Sequence, residues 1–218
     1  MRNRFDEQLE MLNRSLIEMG AGIEESIAIT TKALTEQNTE LARRAIEMEG
    51  KIDRLEKEIE AMCLKLLLQQ HPVASDLRNI SAALKMITDM ERIGDQCEDI
   101  AEIAIILAND TYIKKLEHIP MMAEAAVKMV TKAVNAYVNR DVEMARSIEK
   151  DDDYVDELFD IIKLDLMKLI RDGIENSLQA MDLLMVAKYY ERIADHAVNI
   201  AEWVVFSMTG EHKSQKIM

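Results

Sequence analysis

Near the start of the chain, Phe5, Leu9, Leu12, Leu16, Met19 and Ile23 alternate spacings of four and three. That alternation is the seam of a long helix packed on others, and it predicts one from Arg2 to about Gln37. Gly20 and Gly22 weaken its middle. After a break at Gln37-Asn38-Thr39 the alternation resumes through Leu41, Ala45, Met48, Ile52, Leu55, Ile59, Met62 and Leu66, the clearest heptad in the chain. It ends at Gln70-His71-Pro72, because proline disfavours helix in the residue before it, and Ser75 or a neighbour can cap the next helix. That third helix carries Leu77, Ile80, Leu84 and Ile87 and runs to about Asn109-Asp110. Roughly 33 residues at 1.5 Å each give a rod of about 50 Å.

The pattern then starts again. Residues 110 to 120 form a connection, with Pro120 stopping one pattern and Met121 opening the next. Residues 33 to 42 followed by Arg43 align, at a shift of 103, with residues 136 to 145 followed by Arg146. The second heptad returns as Met144, Ile148, Val155, Leu158, Ile162 and Leu169. A break near Arg171-Asp-Gly173 replaces the His-Pro one, a last helix is expected from about Asn176 to Met208, and the polar tail from Thr209 to Met218 frays. The repeat is most explicit where Glu91-Arg-Ile-Gly-Asp-Gln-Cys-Glu-Asp-Ile-Ala-Glu102 recurs as Glu191-Arg-Ile-Ala-Asp-His-Ala-Val-Asn-Ile-Ala-Glu202, with seven of twelve positions identical at a shift of 100. The expected fold is therefore all-α: two tandem antiparallel three-helix bundles, residues 1–110 and 111–218, six long helices related by an internal pseudo-two-fold.

Composition agrees. The 218 residues are 49% hydrophobic and 4% aromatic, with sixteen methionines, two prolines and six glycines, a mixture of good helix formers. A net charge of -14 repels phosphate backbones and anionic membranes, so nucleic acid is not an expected partner. No apolar stretch is long enough to span a bilayer and no signal peptide is visible, which places the protein in the cytoplasm. Cys63 and Cys97 sit amid helical pattern as core thiols rather than a disulfide.

The charge is organised. Glu91, Asp95, Glu98 and Glu102 project opposite Ile93, Cys97, Ile100 and Ala104, so they form an acidic line on the outer face of the third helix. Like charges at i and i+4 disfavour a helix by about 0.2–0.5 kcal/mol per pair, yet the second copy keeps Glu191 and Asp195. The preceding helix of each unit carries a matching pair, Glu49 with Asp53 and Asp152 with Asp156. Antiparallel packing would bring four carboxylates together in each unit, a donor set for hard or borderline cations and for bridging more than one. Neither copy contains Glu-x-x-His, His196 stands where the first copy has Gln96, and there is no Gly-x-Ser-x-Gly, phosphate loop or zinc spacing. Asp151 replaces the seam residue Met48, either as an irregularity or as a further ligand. Gly94 and Ala194 suit close helix approach, and Arg92 and Arg192 either pair with a carboxylate or hold a partner.

The paired Glu-Arg-Ile-Gly-Asp and Glu-Arg-Ile-Ala-Asp motifs, each continuing to Ile-Ala-Glu, together with His71-Pro72-Val-Ala-Ser-Asp-Leu-Arg78, resemble the PhoU family of phosphate-signalling regulators over essentially the whole chain. The resemblance implies a cytoplasmic, non-catalytic repressor of the phosphate-starvation response. It would act between the ATPase subunit of a phosphate ABC transporter and a membrane sensor histidine kinase. It also implies surface metal clusters, multinuclear iron in some members, with zinc, manganese or magnesium as other occupants. Carried over by motif, the metal positions are Glu49, Asp53, Glu91, Asp95, Asp152, Asp156, Glu191 and Asp195. One turn further on, Asp99 matches Asn199, a departure that makes the two sites unequal. A long rod with an acidic face favours docking or self-association, and a homodimer is the expected form. Two other functions fit the residues: a carboxylate-bridged metalloenzyme, and a helical scaffold without metal.

Overall fold

The structure is a computed structural model describing residues 2–69, 73–173, 175 and 177–212. Its helices are α1 (Arg2–Glu36), α2 (Thr39–Gln69), α3 (Ala74–Leu107), α4 (His118–Asn139), α5 (Val142–Arg146), α6 (Ile148–Asp172) and α7 (Ser177–Thr209), with no strand among the described residues. Two matching turns set the antiparallel order. Gln37 (φ 52) closes α1 and Arg140 (φ 54) closes α4, both left-handed, the conformation that ends a helix by satisfying its last carbonyls. The next residue caps the next helix: Asn38 Oδ1 accepts from the N–H groups of Glu40 and Leu41 at 3.0 and 3.1 Å, and Asp141 Oδ1 from that of Met144 at 2.9 Å.

The second unit departs from the expected pattern in three places. The helix over the second heptad is broken, because the Ser147 N–H is shared between the carbonyls of Glu143 and Met144 and its hydroxyl donates to Met144 O, leaving α5 as a short turn before α6. The connection between units is residues 108–117 rather than 110–120, since α3 stops at Leu107. Pro120 lies inside the first turn of α4, where a missing N–H costs nothing because the first N–H groups of a helix have no carbonyl to reach. His118, expected in the connection, opens that helix. The expected breaks at Gln70-His71-Pro72, the start at Asn176 and tail residues 213–218 lie outside the described residues.

α3 and α7 lie at the centre: α3 packs on α1 and α2, α7 on α4, α5 and α6, and the two pack on each other, while α1 also touches α4. The buried side chains of both units consequently form one continuous core. Gly20 does not interrupt α1; a Cβ there would meet Val134 Cγ2 at 3.3 Å, so its smallness lets α1 approach α4. Gly94 does the same for α3, where a Cβ would lie 3.2 Å from Ile52 Cδ1 and Cγ2. Cys63 and Cys97 are free and buried, and burial pushes both thiols up to about 12, so they are packing groups rather than nucleophiles. No described helix is long and apolar enough to cross a membrane.

Candidate functional site

Ile93, Cys97, Ile100 and Ala104 are buried in α3, so Glu91, Asp95, Glu98 and Glu102 face outward. Beside them the antiparallel α2 presents Glu49, Asp53 and Glu56. The two lines repel each other across the groove between the packed helices α2 and α3. Burial raises Glu49, with Asp53 and Asp95 adding repulsion. Burial likewise raises Glu91, helped by Asp95 and Glu56, and Glu98, helped by Glu49 and Glu102. Asp95 is raised by burial and then by Asp99. Two cations are within reach: Lys57, whose ammonium donates to Asp53 at 2.6 Å from a side chain 66% exposed, and Arg92, which tempers Glu91 and Asp95.

The second groove lies between α6 and α7. Asp152 is pushed up to about 6 by burial and then by Asp156, Asp195, Asp153 and Glu191. Its Oδ1 is buried with no hydrogen-bond partner among the described residues. Burial and Glu191 raise both Asp156 and Asp195. Lys188 is bonded to Glu191 and relieves Asp156 and Asp195.

Eight of the ten expected metal positions therefore gather as two groups of four, Glu49, Asp53, Glu91 and Asp95 in one and Asp152, Asp156, Glu191 and Asp195 in the other. The other two belong to the seam between α3 and α7. Asp99 accepts a hydrogen bond from Tyr189 while bordering the first groove, and Asn199 donates to Asp89 Oδ1 at 3.2 Å. His196 joins the seam, its Nδ1 2.8 Å from the same Asp89 oxygen. Asp151 faces away from the groove and takes a 2.6 Å bond from Lys132 on α4. Arg192 stacks over Tyr189, with its guanidinium 5.9 Å from the ring centroid. Sequence reasoning missed Glu56, which the i, i+7 spacing from Glu49 points to, and Lys188, which sits three residues before Glu191 on the same face.

The PhoU domain model matches residues 16–104 and again residues 119–204. The chain belongs to the PhoU family. It is 38% identical over 185 residues to the phosphate-specific transport system accessory protein PhoU homolog of Aquifex aeolicus, covering 85% of this chain and 84% of that protein. The corresponding homolog of Clostridium acetobutylicum is 34% identical over 211 residues, 96% of each chain. Among solved structures, PhoU from Pseudomonas aeruginosa superposes with a TM-score of 0.90 at 28% identity, covering 95% of this chain and all of that one. The phosphate transport system regulatory protein PhoU from Streptococcus pneumoniae gives 0.87 at 27% identity, covering 95% and 98%.

The metal that PhoU resemblance implies suits these grooves in donor chemistry. All eight donors are carboxylates, four in each groove, their repulsion is only partly offset by lysine, and Asp152 holds an oxygen without a partner. Among the described residues no three acidic, histidine or cysteine side chains already converge on one point, so binding requires side-chain rotation toward the ion.

Proposed function

We propose that this PhoU-family chain is a non-enzymatic regulator of phosphate uptake. In this reading it works in the cytoplasm as a homodimer and acts as an adaptor between the ATPase subunit of a phosphate ABC transporter and a membrane sensor histidine kinase, holding the starvation response off when phosphate is plentiful. The double match of the family model, one per helical unit, carries the reading. The names of the relatives support its coarser part, an accessory role in phosphate-specific transport. Deleting the gene should derepress phosphate-uptake genes in phosphate-rich medium. An unchanged response there removes the regulatory role.

The two grooves are proposed as carboxylate metal sites, one held by Glu49, Asp53, Glu91 and Asp95 and the other by Asp152, Asp156, Glu191 and Asp195. Iron, manganese, zinc or magnesium bound there would supply positive charge, cancelling the repulsion that burial and crowding impose on the acids. Elemental analysis, followed by titration of metal-free protein with each ion, tests the sites. The scaffold reading without metal is favoured by one observation: each groove already contains a lysine bonded to one expected ligand. Absence of bound metal, with unaltered regulation, would establish that alternative.

A further inference from the structure

At equivalent positions of the repeat, Glu56 of the first groove becomes Phe159 in the second, and Thr88 becomes Lys188. These two replacements meet in the folded chain. The Lys188 ammonium stands 5.5 Å from the Phe159 ring centroid, a cation over an aromatic face, while donating to Glu191. Its side chain is 38% exposed and that of Glu191 16%, so the pair is half withdrawn from water. Lys163 also approaches the Phe159 ring, at 5.4 Å, but its ammonium is bonded to Asp160 at 2.6 Å.

We propose that Lys188 is a built-in counter-cation of the second groove, pinned by Glu191 and Phe159, and that it competes there with a divalent metal ion. The competition rests on the metal reading above; the counter-cation role does not. One ammonium bonded to Glu191 also sits close enough to temper Asp156 and Asp195, so it occupies electrostatically the place a metal would take. Lys57 likewise bonds one acid, Asp53, and tempers Glu49 and Glu56, but it does so from a side chain 66% exposed. A divalent ion in the first groove therefore returns an already exposed lysine to water, whereas the second is filled only when Lys188 leaves both Glu191 and the Phe159 face.

The test is calorimetric titration of metal-free protein with Mn²⁺ at pH 7.5, comparing the wild type with Lys188→Gln, and with Lys163→Gln as a charge-matched control. Asp152→Asn identifies the binding phase that belongs to the second groove. Lys188→Gln should tighten that phase about tenfold, the order expected for removing one unit charge beside a divalent ion at near-solvent dielectric, and leave the other phase unchanged. Lys163→Gln should move neither. In chelator at low salt, Lys188→Gln should also lower Tm by about 2–4 °C while Lys163→Gln does not. A second phase unchanged or weakened in Lys188→Gln overturns the competition, and an unaltered metal-free Tm overturns the counter-cation role. If the wild type binds no Mn²⁺ in either groove, the metal reading and the competition fall together, and the Tm comparison alone decides whether Lys188 is the counter-cation.

Discussion

In the first groove Glu49, Asp53 and Glu56 on α2 face Glu91, Asp95 and Glu98 on α3. In the second, Phe159 and Val198 stand where Glu56 and Glu98 stand, and Lys188 replaces Thr88. The backbone frame is the same, down to left-handed Gln37 and Arg140 and the helix caps next to them. The charges are placed differently: the second groove gains Asp153 and Asp160 where the first has Gly50 and Lys57, and the lysine of the first reaches in from solvent. Duplication thus fixes where carboxylates meet, while a few outward-facing positions set how much positive charge each meeting place lacks. A similar trade appears in the packing beneath. Gly94 accommodates Ile52 in the first unit, and the equivalent pair in the second is Ala194 with Val155, one carbon more on α7 and one fewer on its neighbour.

That packing trade yields the largest expected effect. Gly94→Leu would force α2 away from α3 at the Ile52 contact and should cost about 3 kcal/mol, the upper range for overpacking, measured by urea unfolding. Gly94→Ala should become neutral or stabilising when combined with Ile52→Val, which copies the second unit; absence of that coupling breaks the equivalence of the two pairs. Next in size is metal binding. Glu91→Ala with Asp95→Ala should weaken the Mn²⁺ phase of the first groove more than about a hundredfold, since even partners outside the ligand shell cost 10–100-fold. The phase that Asp152→Asn removes should survive unchanged. Loss of both phases would mean that the grooves are not independent.

Much of the architecture was legible because alternating spacings and a duplicated motif both report on buried faces, and packing enforces buried faces strictly. Leu12, Leu16, Met19 and Ile23 are all fully buried as their spacing predicts. The features that escaped were local or mutual. The break at Ser147 depends on one shared backbone bond, which leaves no trace in the apolar pattern. The fate of Asp99 and Asn199 was hidden because their partners, Tyr189 and Asp89, come from the other unit and no periodicity within one helix reveals them. Lys188 escaped for a different reason: a search for ligands looks for anions, and the residue that most distinguishes the second groove is a cation.

Within the pH response, which has the same sign in both grooves, Asp152 contributes about 1 kcal/mol. Asp152 is raised from 3.8 to about 6, so in metal-free protein the folded state holds a proton that the unfolded chain releases. Its contribution is fully present below pH 3.8 and is lost as pH rises through about 6, so stability should increase on acidification from pH 7 toward 5. Asp152→Asn should raise stability at pH 7 by about 1 kcal/mol, after allowance for solvent screening, and flatten the curve. Denaturant midpoints at several pH values in chelator check this. A curve equally steep in the variant would place the titration elsewhere.

The smallest effect concerns the seam, where the units meet through non-identical pairs. Asp89 takes His196 at 2.8 Å and Asn199 at 3.2 Å, and on the pseudo-symmetric side Asp99 takes Tyr189, while Gln96, the counterpart of His196, has an Oε1 buried without a partner among the described residues. His196→Gln would match Gln96 across the seam and remove one bond of a carboxylate 15% exposed, costing about 0.5–1.5 kcal/mol. Tyr189→Phe removes the corresponding bond to Asp99 and should cost a similar or smaller amount. Were the two sides separate fasteners, the double variant would lose the sum within about 0.3–0.5 kcal/mol in urea unfolding. A larger departure would mean that α3 and α7 shift as one, and that a change in either groove is felt in the other through the seam.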